Sequence, residues 1–198
     1  MSAATVEPAA AGDAPAIGVL ALQGGFAAHV ALLRSLGARA HEVRTADELD
    51  GLDGLVMPGG ESTTMTLAVE RDGLGGPLRA FAGSGRPLLG TCAGLIMLDR
   101  LHLGLLDVVC ERNAFGCQSR SFETDLELGG RRVHAVFIRA PWVTEAAPHV
   151  EVLAEVDGHP VAVRQGRVLA VAFHPELSGE TAIHEAFLED VAAARAAG

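Results

Sequence analysis

The sequence predicts an α/β fold: a mixed, mostly parallel central sheet with helices on its faces and an antiparallel extension. Three observations carry this. Short apolar runs alternate with segments of helical spacing through the first half of the chain. The second half changes to strand-like runs joined by glycine turns. A last stretch, 179–194, returns to helical spacing. Strands alternating with helices at these lengths form βαβ units, whose parallel sheets are buried on both faces, whereas hairpin-linked runs add antiparallel strands.

In chain order, Ile17 to Leu22 is a short apolar run closed by Gly24-Gly25 and reads as a buried strand. Phe26 to Leu36 places Phe26, Val30 and Leu33 on one helical face and stops at Gly37. Ala40–Val43 and Leu52–Met57 are strands, the second closed by Pro58-Gly59-Gly60. Ser62 or Thr63 can cap the helix that follows to about Arg71. Another helical piece covers Leu78–Gly83, then a strand Pro87–Gly90 and a helix Ala93–Leu101. The later strands are Phe122–Leu128, Arg132–Ile138, Val150–Val156, Pro160–Arg164 and Val168–Phe173, with Gly129-Gly130 and Gln165-Gly166 as hairpin turns.

The bulk numbers narrow the function. A chain of 198 residues suits one domain with a proper core. The net charge of −10 disfavours nucleic acid and anionic membrane surfaces, and all 15 cations are arginines scattered along the chain. No apolar run approaches the roughly 18 residues that would span a bilayer. The first sixteen residues are small, bear prolines and lack a basic or apolar signal region, so 1–16 is expected to be a disordered extension. Cys92, Cys110 and Cys117 are an odd count without zinc spacing, which points to no disulfide framework, no metal site and a reducing cytoplasmic compartment.

The chemistry gathers in three segments. Gly90-Thr91-Cys92-Ala93-Gly94 follows a short strand and opens a helix, a nucleophile elbow with Cys in the place of Ser. A tight turn presents the nucleophile, small flanking residues avoid clashes, and backbone N–H groups at the helix start favour a thiolate. The pentapeptide alone fits either a nucleophile or a buried structural cysteine. Phe173-His174-Pro175-Glu176 ends a strand, where open α/β sheets place their sites. Residues two apart on an extended segment point the same way, so Glu176 can fix the tautomer of a His174 base. The remaining histidines read as surface or packing residues, with His29, close to the Gln23-Gly24 turn, the least certain of them. Gly59 and Gly60, in Met57-Pro58-Gly59-Gly60-Glu61-Ser62-Thr63-Thr64, can offer backbone N–H groups to an oxyanion beside that of Ala93.

Taken together and in this order, these segments resemble class I, triad-type glutamine amidotransferases, and within them the glutaminase subunits of pyridoxal 5'-phosphate synthase. The resemblance rests on Gly18-Val-Leu-Ala-Leu-Gln-Gly24, Pro58-Gly-Gly-Glu-Ser-Thr-Thr-Met65, Gly90-Thr-Cys-Ala-Gly-Leu95, His102-Leu-Gly-Leu-Leu106, Glu111-Arg-Asn-Ala-Phe-Gly116, Ser121-Phe-Glu123, Val136-Phe-Ile-Arg-Ala-Pro141 and Phe173-His-Pro-Glu-Leu177. It implies a three-layer, flavodoxin-like amidotransferase domain over 17–195. It implies a Cys92–His174–Glu176 triad that hydrolyses L-glutamine to glutamate and ammonia through a thioester. It assigns glutamine binding to Gly60, Glu61, Ser62, Arg112, Ile138 and Arg139, and places Gln23 by the oxyanion site formed by Gly59, Gly60 and Ala93. It implies no cofactor, and as partner a (β/α)8-barrel synthase subunit in a large hetero-oligomer, on which full activity depends. Only Asp99-Arg100-Leu101 separates Leu98 from His102, where relatives carry a longer insert. Two rival readings stay open: a glutaminase serving another synthase, and a non-catalytic redox-sensing or regulatory protein of the same architecture with Cys92 as an oxidisable thiol.

Overall fold

A computed structural model describes residues 14–115 and 121–197. The expected N-terminal extension through residue 13, and Cys117, lie outside the described residues. In chain order the elements are β1 (Ala16–Leu20), α1 (Phe26–Ser35), β2 (Arg39–Val43), β3 (Gly54–Met57), α2 (Ser62–Arg71), α3 (Gly75–Gly83), β4 (Leu88–Thr91), α4 (Ala93–Leu98), β5 (Val108–Glu111), β6 (Phe122–Leu128), β7 (Arg131–Phe137), β8 (Trp142–Ala146), β9 (Glu151–Val156), β10 (His159–Gln165), β11 (Val168–Val171) and α5 (Ala182–Ala196), with a 3-10 turn at Ala46–Leu49.

The central sheet has the order β2-β1-β3-β4-β11-β10-β9. Its first five strands run parallel, and β10 and β9 continue it antiparallel. This is the mixed sheet with an antiparallel extension that the sequence implies. Every residue of β1, β3 and β4 is buried, as a sheet covered on both faces requires. The crossover from β1 to β2 moves one way along the sheet and that from β3 to β4 the other. Right-handed connections therefore put α1 and α2 on opposite faces. α5 shares the face of α1 and sits tightly on β3: a Cβ at Gly54 would lie 2.8 Å from both Phe187 and Val191. α4 packs on the other face with α2.

Three departures from the sequence reading have physical causes. β1 begins at Ala16, paired with Arg39, so the boundary expected after residue 16 falls inside the sheet. α4 ends at Leu98 rather than Leu101 because Asp99 turns extended and buries its carboxylate. That carboxylate accepts from the N–H of Leu101 at 2.9 Å, the His102 ring at 2.7 Å and the N–H of Cys110 at 3.3 Å. These bonds draw the loop back under the helix. The strands β5 and β8 are absent from the sequence reading. They are short and pair only with each other, Val108 facing Ala146 across the intervening hairpin β6–β7.

That hairpin docks through an aromatic cluster. Phe137, 1% exposed, contacts Phe122, Phe115 and Phe173, and Phe115 contacts Trp142. Among the described residues no helix is long and apolar enough to cross a membrane.

Candidate active site

The parallel order places the carboxyl ends of β1, β3, β4 and β11 side by side. The segments following them are the ones singled out in the sequence: Gln23 after β1, Gly59-Gly60 after β3, Cys92 after β4 and His174 after β11. They close around a cavity of about 350 Å³, within the range of small-molecule sites. Its lining includes Gln23, Gly59, Gly60, Glu61, Ser62 and Cys92. Ala93, Arg112, Ile138, Arg139, His174 and Glu176 line it as well, so every residue expected at the site reaches one chamber.

The nucleophile sits in a strained turn. Cys92 has φ 48° and ψ −107°, outside the regions L-residues favour, and its N–H is held by the carbonyl of Val171 at 2.8 Å. The flanking glycines are required by space. A Cβ at Gly90 would meet Leu98 at 2.5 Å, and one at Gly94 would meet the carbonyl oxygen of Met57 at 2.0 Å. Among the described residues four non-glycines have positive φ, and three of them, Cys92, Asn113 and Arg139, line the cavity. Backbone strain is thus concentrated at the site, where function is the usual reason to retain it.

His174 Nδ1 meets Glu176 Oε1 at 2.8 Å. The contact is the expected one, but its geometry is not an extended segment. The chain after β11 forms a turn in which Leu177 N–H donates to the His174 carbonyl, and this turn folds Glu176 back under the ring. The backbone N–H of His174 donates to the carbonyl of Val136 on β7 at 2.9 Å, so the hairpin also fixes the imidazole. Burial of His174 opposes its positive charge, yet hydrogen bonds to Cys92 and Glu176 outweigh it and raise its pKa to about 10. Glu176 is likewise buried, but the His174 hydrogen bond and the nearby His29 imidazole, 3.3 Å from Oε2, hold its carboxyl far below the ordinary range. The electrostatics therefore favour a His174 imidazolium paired with a Glu176 carboxylate. Cys110 differs: burial, then the nearby Asp99, push its thiol well up, which leaves it protonated.

The turn after β3 runs close under the ring. A Cβ at Gly59 would lie 2.5 Å from His174 Cε1 and 3.2 Å from Cys92 Cβ. The Gly59 carbonyl accepts from Gly25 N–H at 3.0 Å, and a Cβ at Gly24 would come within 1.9 Å of that same oxygen. Because the peptide is trans, the N–H of Gly60 points away from that carbonyl. Ala93 heads α4, where first-turn N–H groups have no intrahelical acceptor. The Gln23 side chain accepts from Glu61 N–H and clamps the turn.

Glu61, rather than Ser62 or Thr63, caps α2. Its carboxylate accepts from the N–H groups of Thr63 at 3.1 Å and Thr64 at 2.8 Å. The Thr64 bonds chiefly, then that of Thr63, draw its pKa down to about 2. The same carboxylate takes Arg112 Nη2 at 2.7 Å, while Arg112 Nη1 reaches Thr63 Oγ1 at 2.8 Å. The guanidinium keeps further N–H donors, suited to a ligand carboxylate. Ile138 turns its carbonyl toward Cys92 Sγ, 4.0 Å away.

The sequence reading passed over two participants. His29 and His184, read as surface or packing residues, are fully buried against one another beside Glu176. Helical spacing offered a signal for the first, since His29 stands on the buried face of α1 with Val30 and Leu33. Asn113 and Leu177 also line the cavity, and nothing in the sequence marked Asn113 except its place beside Arg112.

Comparison with known proteins places the chain in a family. The profile of the SNO glutamine amidotransferase family matches residues 19–193. The chain is 51% identical over 190 residues to the pyridoxal 5'-phosphate synthase subunit PdxT of Mycolicibacterium vanbaalenii, covering 89% of this chain and 97% of that protein. It is 54% identical over 191 residues to the protein of the same name in Parafrankia sp., covering 90% and 94%. A crystal structure described as a glutamine amidotransferase superposes with a TM-score of 0.85 at 46% identity, covering 89% of this chain and 98% of that one. The structure of PurLQS from Thermotoga maritima, at 18% identity and TM-score 0.71, shares the fold.

Proposed function

The chain belongs to the SNO glutamine amidotransferase family, and on that premise we propose that Cys92, His174 and Glu176 hydrolyse the side-chain amide of L-glutamine. The protein is the glutaminase subunit of a pyridoxal 5'-phosphate synthase, the function named for relatives about half identical over nearly the whole chain. Cys92 Sγ attacks the carboxamide carbon, and the oxygen takes up negative charge between the backbone N–H groups of Gly60 and Ala93. The tetrahedral adduct collapses to a thioester as ammonia leaves with a proton from the His174 imidazolium. Water then attacks the thioester, giving its proton to His174, and glutamate departs as the thiolate re-forms. Glu176 keeps His174 Nδ1 protonated, so Nε2 serves Cys92. Arg112 holds the α-carboxylate of glutamine, with Gly60, Glu61, Ser62, Ile138 and Arg139 around it.

The single observation that carries this reading is one cavity that holds nucleophile, imidazole, carboxylate and a cationic clamp together. Ammonia passes to a (β/α)8-barrel synthase subunit in a large hetero-oligomer. The exposed apolar side chains of Ile138 and Leu177 on the cavity lining support a covering partner there. The test is glutamate formation from glutamine by the Cys92→Ala protein mixed with its synthase subunit. Loss of hydrolysis with retained complex formation is expected, and a surviving rate would overturn the mechanism.

A further inference from the structure

Glu176 is buried to 2% side-chain exposure and has two oxygens to satisfy. Oε1 takes the His174 ring, but Oε2 makes no close hydrogen bond. The group facing Oε2 is His29 Nε2, 3.3 Å away, on α1. The other nitrogen of that ring, Nδ1, meets His184 Nε2 on α5 at 2.9 Å. Both rings are fully buried, and Thr91 Oγ1, next to the nucleophile, lies 3.2 Å from His29 Nε2. A buried carboxylate oxygen with one polar neighbour loses its compensation if that neighbour is removed.

The protons can be assigned from what each atom faces. A carboxylate only accepts, so the group that meets Oε2 must carry a hydrogen: His29 Nε2–H lies between Thr91 Oγ1 at 3.2 Å and Oε2 at 3.3 Å, and both can share it. Burial, and then the neighbouring His29, lower the pKa of His184 to about 3, so His184 is neutral with one N–H. Its Nδ1 has no partner. A buried orphan lone pair is tolerated better than a buried orphan N–H, which puts the hydrogen of His184 on Nε2, donating to His29 Nδ1. The resulting chain runs His184 to His29 to Glu176, with His174 donating to the same carboxylate from the other side.

We propose that His29, oriented by His184, is a positioning residue for catalysis: it holds the Glu176 carboxylate in the one orientation that serves His174. The role is needed because Glu176 lies on a turn past the end of β11, where no sheet ladder fixes it. α1 and α5, packed on the same face of the sheet, supply the buttress. This rests on the triad reading above and extends it by one shell.

The test is steady-state glutamine hydrolysis by the full chain with its synthase subunit. In His29→Asn the amide falls where Nδ1 was, so it can pair with His184 but not reach Oε2. In His29→Gln an amide N–H reaches the position of Nε2. Asparagine should lower kcat about 10- to 100-fold, the equivalent of one hydrogen bond to a charged group, with KM within about twofold. Glutamine should restore most of that loss. The same His29→Asn change in a Glu176→Ala background should add little. Equal rates for the Asn and Gln proteins, or an undiminished effect of His29→Asn without Glu176, would overturn the proposal. A Glu176→Ala protein with the wild-type rate would instead overturn the triad. His29→Leu is not needed, which matters because an apolar residue beside a buried carboxylate risks misfolding.

Discussion

Gly59→Ala is the sharpest test of the site's geometry, because the added atom lands on the machinery. Gly59 does not have a positive φ, so the backbone there accepts an L-residue and only space opposes it. The new methyl would lie 2.5 Å from His174 Cε1, 3.0 Å from Nδ1 and 3.2 Å from Cys92 Cβ. Ordinary contact begins near 3.4 Å, so the imidazole must withdraw by nearly 1 Å. It cannot do so and keep its 2.8 Å bond to Glu176. A misplacement of about 1 Å in a reacting group typically lowers the rate about 10²-fold. The expected outcome is therefore a fall in kcat of about that size for glutamine hydrolysis in the presence of the synthase subunit. Thermal denaturation, followed in parallel, separates this displacement of the ring from a general loss of folding. A kcat within about threefold of wild type would refute the close approach of this turn to the ring. A collapse of thermal stability would show instead that the strain is relieved in the backbone.

Two further outcomes follow from features away from the nucleophile. Phe137→Ala empties the centre of the aromatic cluster and should destabilise the protein by about 3–5 kcal/mol in urea unfolding; it should also loosen His174, whose N–H is held by the adjacent Val136. The pH dependence of stability has a defined sign. The pKa of His184 falls to about 3 on folding, from an ordinary value near 6.5, so below about 6.5 the unfolded chain binds a proton that the folded one refuses. Stability should fall from about pH 6.5 downward, by up to about 1.4 kcal/mol per pH unit from this group, and Glu176 should add in the same direction below about 4.5. His174 acts on the other side: its contribution is present below about 6.5 and is lost as pH rises toward about 10. Urea midpoints across pH 4–7 should show a shallower acid limb in His184→Leu than in wild type, and parallel limbs would refute the assignment.

Much of the frame was legible because burial writes itself into composition. The apolar runs behind β1, β3 and β4 are continuous, as strands buried on both faces must be, and the turns at Gly129-Gly130 and Gln165-Gly166 form the expected hairpins. What sequence could not supply came from contacts distant along the chain. β5 and β8 are strands only because each finds the other. The spacing of Arg100-Leu101 continued a helix that the buried Asp99 carboxylate ends. At α2, hydroxyl residues were the natural caps, but the longer Glu61 reaches two N–H groups and Arg112 together. The triad was readable from motif chemistry, whereas the buttress behind it was not: His29 and His184 are 155 residues apart and meet only when α1 and α5 share a face.

The glycine contacts beneath the cavity carry a consequence for redesign. Around its base main chain is laid on main chain, with Gly24 against the Gly59 carbonyl and, behind the lining, Gly94 against that of Met57, both closer than any Cβ would allow. Neither glycine can take a side chain without backbone collision, so at these points the shape of the chamber is a property of the chain path itself. Arg112, Ile138 and Arg139 stand at the rim on partly or fully exposed segments, free of that restriction. An effort to admit a longer or differently charged amide should therefore vary the rim and leave the two glycines untouched. Libraries that randomise both would lose most members to backbone collision before substrate choice could be scored.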